Sequence, residues 1–184
     1  SIPLFALFFK IFNPLLGEQF QYIGSWLLLC FFLNGYVTNK ILNLFKINWI
    51  LRFLIILFVI TNPVLLYRGM HPALCAQWLI VLSIYFYLKQ PKSEKDSFRI
   101  SFLQSGLILL SGFIHPYLTF IIAGFALIVP LKNYILHYKT PLIKNALILL
   151  ATFVVLIANW YIVGLIGSSD SEVKNGYGLY SWNL

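Results

Sequence analysis

Acidic side chains are nearly missing from this chain: 5 Asp and Glu stand against 13 Lys and Arg in 184 residues, and charged types together make up only 10%. That scarcity, beside a 60% hydrophobic composition, excludes a water-soluble globule, because a chain of this length cannot hide so much apolar surface from water. Cysteine is scarce as well. Cys30 and Cys75 both fall in apolar runs, where each reads as a small buried apolar residue, and neither suggests a disulfide framework or a metal site. Internal repeats of roughly 20–50 residues are missing, and with them goes a solenoid. No start Met and no cleavable leader open the chain, and Ser181 to Leu184 end it within an aromatic-rich run. The expectation is an internal fragment of a longer membrane protein.

What is present in quantity is apolar sequence in long runs. Six stretches look long and apolar enough to cross a bilayer: Tyr22 to Val37, Trp49 to Leu66, Pro72 to Leu88, Phe98 to Ile114, Tyr117 to Ile135 and Leu142 to Ile166. They predict an all-α, polytopic transmembrane helix bundle of about six spans, a single domain over 1–184.

The cations fall into alternate gaps between these runs. Lys40, Lys46 and Arg52 follow the first span, Lys89, Lys92, Lys95 and Arg99 the third, and Lys132, Lys139 and Lys144 the fifth. By the positive-inside rule these gaps face the cytoplasm. The other gaps hold only Lys10, Arg68 and Lys174, accompanied by Glu18, Asp170 and Glu172, and so face outward. The net charge of +8 does not imply nucleic acid, because the cations form short clusters at the ends of apolar runs, as orientation signals and lipid-headgroup contacts do.

Residues 1–19 form an extracytoplasmic interfacial segment. Ile2 to Phe12 is too short to span, Ser1 is a plausible cap, and Asn13, Pro14 and Gly17 close it with a turn. Pro63 and Pro72 flank one outer turn, Pro116 makes the next, and Pro130 and Pro141 flank the last inner turn. Lys89 to Arg99 reads as a solvated cytoplasmic loop. Gly24, Gly35, Gly106, Gly112, Gly124 and Gly164, with Ser83, Ser105 and Ser111, allow close helix contact, while Asn34, Gln77, Gln104 and Asn159 are expected to point into the bundle and pair across helices.

The informative chemistry lies on the outward side. The run Asn62 to Pro72 puts Arg68 and His71 three residues apart at a membrane boundary. A guanidinium there offers a fixed fork of donors to a phosphate oxygen, and an imidazole nearby can exchange a proton at neutral pH. His115-Pro116-Tyr117 brings a second imidazole to the same side, where antiparallel packing can set it near His71. The plainer reading is that Arg68 snorkels to headgroups and that the histidines cap helix ends. The last outward segment, 167–184, is a loop whose acids offer bases and whose aromatics can stack on a sugar face, or form part of an interfacial belt.

Several runs together carry a resemblance: Ser1-Ile2-Pro3-Leu4, Phe20-Gln21-Tyr22, Trp26 to Phe31, Leu65-Leu66-Tyr67-Arg68 with His71, Gln77-Trp78-Leu79-Ile80, Ile114 to Leu118, and Gly176-Tyr177-Gly178 with Tyr180-Ser181 and Asn183-Leu184. Over most of its length the chain resembles an uncharacterised bacterial polytopic membrane-protein family related to the GT-C fold glycosyltransferases. The resemblance implies an enzyme of the bacterial inner membrane. Such an enzyme transfers a sugar from a polyprenyl-phosphate-linked donor to a glycan or other envelope acceptor on the extracytoplasmic face. It implies Arg68 as the phosphate contact, with His71, His115, Tyr117, Tyr67, Tyr177, Tyr180 and Asn183 around the substrate. It also implies a catalytic carboxylate in the first outer loop, expected just before Ser1, which leaves Glu18 as the only carboxylate of that loop in the chain. No cofactor is predicted, and no ligand spacing supports a divalent metal. The competing readings are a transporter or translocator of a lipid-linked glycan and a noncatalytic membrane scaffold. Against an ion-coupled transporter, no Asp, Glu, Lys, Arg or His falls near the middle of any span.

Overall fold

A computed structural model describes residues 2–12, 21–67, 71–136 and 141–162. Every regular element among them is helical: α1 (Pro3–Ile11), α2 (Ile23–Leu44), α3 (Trp49–Ile60), α4 (Pro63–Tyr67), a 3-10 turn (Pro72–Cys75), α5 (Trp78–Leu88), α6 (Glu94–Gly112), α7 (Pro116–Leu136) and α8 (Leu142–Ile162). Among the described residues, three helical stretches are long and apolar enough to cross a membrane, namely Ile23–Leu44, Trp49–Tyr67 and Pro116–Leu136, and Pro72–Leu88 and Leu142–Ala158 are shorter apolar segments. Large apolar side chains lie open on the outside of these helices, including Leu28 at 73% exposure, Phe58 at 73% and Phe120 at 70%. In water such a surface would aggregate, whereas hydrocarbon covers it at no cost. The chain is therefore a membrane protein by its surface as well as by its composition.

The helix starts and breaks follow from local chemistry. Asn48 accepts the amide of Leu51 through its side chain at 2.9 Å and begins α3. Asn62 accepts the amide of Val64 at 2.8 Å, so the helix that stops at Thr61 restarts as α4 with Pro63 in its first position. Ser93 accepts the amide of Asp96 at 3.2 Å and starts α6 at Glu94, inside the stretch expected to be a solvated loop through Arg99. The cap outweighs the polarity of Glu94 to Arg99, which forms the first helical turns instead. Pro130 does not mark the end of α7, which continues through it to Leu136. The helix gives up one backbone bond there, a loss tolerated because Pro130 is buried among neighbouring helices.

α7 packs against α5 and α6, α6 also against α8, and α2 against α3, the 3-10 turn and α5. One apolar core joins them through Trp26, Cys30, Leu79, Ile108, Leu118 and Ile122. Two of the expected polar residues pair across helices. The Asn34 amide donates to the carbonyls of Cys30 at 2.9 Å and Cys75 at 3.5 Å, and Gln104 donates to Ser83 Oγ at 2.9 Å. Gln77 instead stands half-buried at the start of α5 without a side-chain cap bond, and the side chain of Asn159 lies outside the described residues. Of the small residues, Gly35 and Gly112 sit at close approaches, while a side chain at Gly24, Gly106 or Gly124 would meet nothing within 4 Å.

Asn133, completely buried, and Asn145, at 7% exposure, leave both amide atoms without a hydrogen-bond partner among the described residues. A lost or unmade bond of this kind costs about 1–3 kcal/mol. Asn133→Leu is therefore expected to leave stability unchanged or raise it by up to about 2 kcal/mol. Gln104→Leu, which deletes the bond to Ser83, should lower it by about 1 kcal/mol. Unfolding in mixed micelles with rising denaturing detergent reads both, and a drop for Asn133→Leu as large as for Gln104→Leu would show that Asn133 has a partner in the membrane.

Candidate functional site at the cation-poor end

The two ends of the bundle differ in charge. At one end Lys132 Nζ donates to the carbonyl of Tyr87 and lies 5.0 Å from the centre of that ring. Lys89 stands 3.6 Å from Asp96, and Asp96 also accepts the amide of Lys92 at 3.1 Å. These contacts assemble the ends of α5 and α7 and the start of α6 into one cationic face. Glu94 and Asp96, the described carboxylates, both belong to it.

The opposite end is built from aromatic side chains and backbone. The amide of Leu4 donates to the carbonyl of Phe113 at 3.1 Å, and that of Ile2 to the Tyr22 hydroxyl at 3.3 Å, so α1 bridges the start of α2 and the α6–α7 turn. Phe5 packs edge-on against Trp26 with ring centres 4.8 Å apart, and Phe9 stacks on Tyr22 at 5.8 Å. Trp26 Nε1 donates to the carbonyl of Pro72 at 2.7 Å, and Trp160 Nε1 to that of Gly112 at 3.3 Å. Ile2 is 2% exposed, whereas Phe8 and Ile11 are 54% and 74% exposed. α1 thus has one face on the bundle and one turned away from it, the disposition of a helix lying along a membrane surface.

His115 stands in the α6–α7 turn of this end, half-buried. Its amide donates to Ser111 at 2.7 Å, and its carbonyl accepts from Leu118 at 3.1 Å. The side chain is positioned in turn: Nδ1 accepts the amide of Tyr117 at 3.2 Å, which leaves the proton of the neutral ring on Nε2. Burial, and after it the positive charge that His71 can carry, hold the His115 pKa below its ordinary 6.5. The imidazole is accordingly neutral at pH 7, able to accept a proton or to donate one hydrogen bond without carrying a charge.

His71, exposed just before Pro72, makes no cap bond with its ring and holds the 3-10 turn only through its carbonyl, which accepts Leu74 at 2.9 Å. His71 adjoins Pro72, whose carbonyl accepts from Trp26, and His115 lies two residues after Phe113, whose carbonyl accepts from Leu4, so both histidines stand at the end of the bundle that α1 covers. Tyr117 is 59% exposed in the first turn of α7, and Tyr67 is 80% exposed at the end of α4. Glu18, Arg68, Tyr177, Tyr180 and Asn183 lie outside the described residues. No group of three or more His, Cys, Asp or Glu among the described residues could hold a metal ion.

A family model described as a domain of unknown function, DUF6311, matches residues 1–184. The chain belongs to the DUF6311 family. No curated protein and no solved structure matches it. For this DUF6311 chain, the indole donors of Trp26 and Trp160 are the part of the site that reasoning from the sequence did not single out. Tryptophan near the ends of apolar runs was the available signal, and it is ambiguous because a membrane-interface belt has the same residues in the same places.

The His115 shift has a sign that can be checked. Because its pKa is depressed in the fold, the unfolded chain binds more protons between pH 6.5 and the lower folded value, so stability is full above pH 6.5 and falls as pH drops through that window. His115→Gln should flatten this part of the profile in thermal unfolding between about pH 5 and pH 7.5. An identical acid slope in the variant would assign it to other groups.

Proposed function

We propose that this DUF6311 chain is part of a membrane glycosyltransferase of GT-C type, taking a sugar from a polyprenyl-phosphate-linked donor and passing it to an extracytoplasmic acceptor. The single observation that supports the reading is the placement of His71 and His115 at one end of the bundle, the end opposite the cationic face. In this reading six spans cross the bacterial inner membrane, α5, α6 and α8 completing the three longer apolar stretches, and the histidine end faces outward. A lipid-linked donor presents its phosphate at headgroup level beside that end, while the acceptor arrives from the water.

The reaction is displacement at the anomeric carbon. The acceptor oxygen forms a bond to that carbon and the carbon–oxygen bond to the phosphate breaks, its electron pair leaving with the phosphate that Arg68 holds. The acceptor proton passes to a carboxylate of the outer segments, for which Glu18 is the candidate within the chain. His71 and His115 bind polar groups of the substrates, and Tyr67, Tyr117, Tyr177, Tyr180 and Asn183 supply stacking surfaces and hydrogen bonds. The deciding experiment is transfer of radiolabelled sugar from polyprenyl-phosphate donors in membranes carrying the intact protein. Labelled acceptor is expected; no product with any donor would move the assignment to glycan translocation or scaffolding.

A further inference from the structure

Far from the histidines, α2 and α3 meet only along one line and leave a groove open to the outside of the bundle. α3 buries none of its residues, and α2 is the helix it packs on. The approach is closest at Gly35, where a Cβ would lie 3.3 Å from Ile56 Cγ2 and 3.4 Å from Ile60 Cγ2. Beside that line runs a groove of about 540 Å³ whose lining extends along α2 from Leu28 to Asn39. Its length is roughly 16 Å at the helical rise, about that of a dozen extended methylenes, so a flexible hydrocarbon chain can follow it.

The groove is apolar along its body and cationic at one end. There Asn39, Trp49 and Arg52 line it, and Lys40 lies 5.2 Å above the ring of Tyr36. One Arg52 nitrogen, Nη2, donates to the carbonyl of Ile47 at 2.8 Å, which fixes the guanidinium, while Nε is buried without a partner among the described residues. Residues 21–67 contain Lys40, Lys46 and Arg52 and no acidic residue, so nothing on these two helices neutralises them. A guanidinium fixed at Nη2 that lines the end of an apolar groove, at the membrane-boundary end of both helices and with no acidic neighbour on them, is complementary to a molecule with an anionic head and a hydrocarbon tail.

We propose that the α2–α3 groove is a binding site for an anionic phospholipid, its phosphate on Arg52 with Lys40 alongside, and one acyl chain lying along the apolar lining of Phe53, Phe32 and Leu28, beside the line where Gly35 meets Ile56 and Ile60. The site belongs to the leaflet at the cationic end of the bundle and is independent of the transferase reading. It adds affinity for an anionic headgroup to the ordinary solvation of an apolar surface.

Trp49, 77% exposed in this lining, is a built-in reporter. The intact protein is reconstituted in phosphatidylcholine vesicles doped with equal mole fractions of phosphatidylglycerol or phosphatidylcholine brominated near the headgroup end of the chains. The Trp49 share of the quenching is obtained by difference with Trp49→Phe. Several-fold stronger quenching by the brominated phosphatidylglycerol is expected at low mole fraction. Arg52→Gln should bring the two lipids level by removing the phosphate contact, and Arg52→Lys should keep part of the preference by supplying the charge without the fork. Equal quenching by both lipids in the unaltered protein would overturn the site. So would a preference that survives Arg52→Gln undiminished, or a Trp49 that neither lipid quenches because protein covers it.

Discussion

Gly112→Val is expected to cost the bundle about 3 kcal/mol, from overpacking of roughly 1–3 kcal/mol and a lost hydrogen bond worth about 1 kcal/mol. A Cβ at Gly112 would lie 2.0 Å from Leu156 Cδ1 and 3.4 Å from Leu156 Cγ, with Trp160 Nε1 at 3.6 Å. Leu156 is 2% exposed and has little room to turn aside, so α8 must move away from α6. The movement also pulls Trp160 Nε1 from the Gly112 carbonyl. Gly106→Val, on the same helix but facing open space, is the control and should cost less than about 1 kcal/mol. Unfolding in mixed micelles measures both. Equal losses would mean that α6 and α8 do not meet at Gly112.

Arg68→Ala is expected to reduce sugar transfer by a factor on the order of 10²–10³ while the protein still inserts, the usual loss when a fixed donor to a developing negative charge is removed. Arg68 lies between Tyr67 and His71, both exposed, in a segment where the sign of the flanking charges disfavours cations. In the proposed transferase a cation there offers its fork of donors to the phosphate of the lipid-linked donor. Arg68→Lys should recover only part of the rate, because an ammonium supplies the charge without the fork. Transfer assays on membranes carrying equal amounts of each variant decide the matter, and undiminished transfer by Arg68→Ala would remove the phosphate role.

The sequence was readable where a single rule governs. Each of the six apolar runs contains a helix, because uninterrupted apolar sequence in lipid must satisfy its own backbone. That His71 and His115 stand at one end of the bundle follows from the alternation of turns between antiparallel helices. Where two rules compete, the sequence misled: Glu94 to Arg99 is charged enough for a loop, yet Ser93 caps it into helix, and Pro130 looks like a stop, yet α7 passes through it. The glycines divide for a different reason. Gly35 and Gly112 differ from Gly24, Gly106 and Gly124 only in the direction each faces, which depends on how the helices turn against one another. The indole donors at Trp26 and Trp160 were hidden in the same way, since their acceptors are backbone carbonyls 46 and 48 residues away in the chain.

A site for a lipid-linked donor and an extracytoplasmic acceptor requires the histidine end to face outward. Cys30 and Cys75 are both buried, at 0% and 1% exposure, so an introduced cysteine can be followed against a quiet background. Tyr117→Cys and Lys92→Cys place a thiol on the exposed surface of each end. Labelling of intact cells with a membrane-impermeant maleimide should mark Tyr117→Cys at once and Lys92→Cys only after the membrane is opened. The reverse pattern would put the histidines in the cytoplasm and contradict the proposed site.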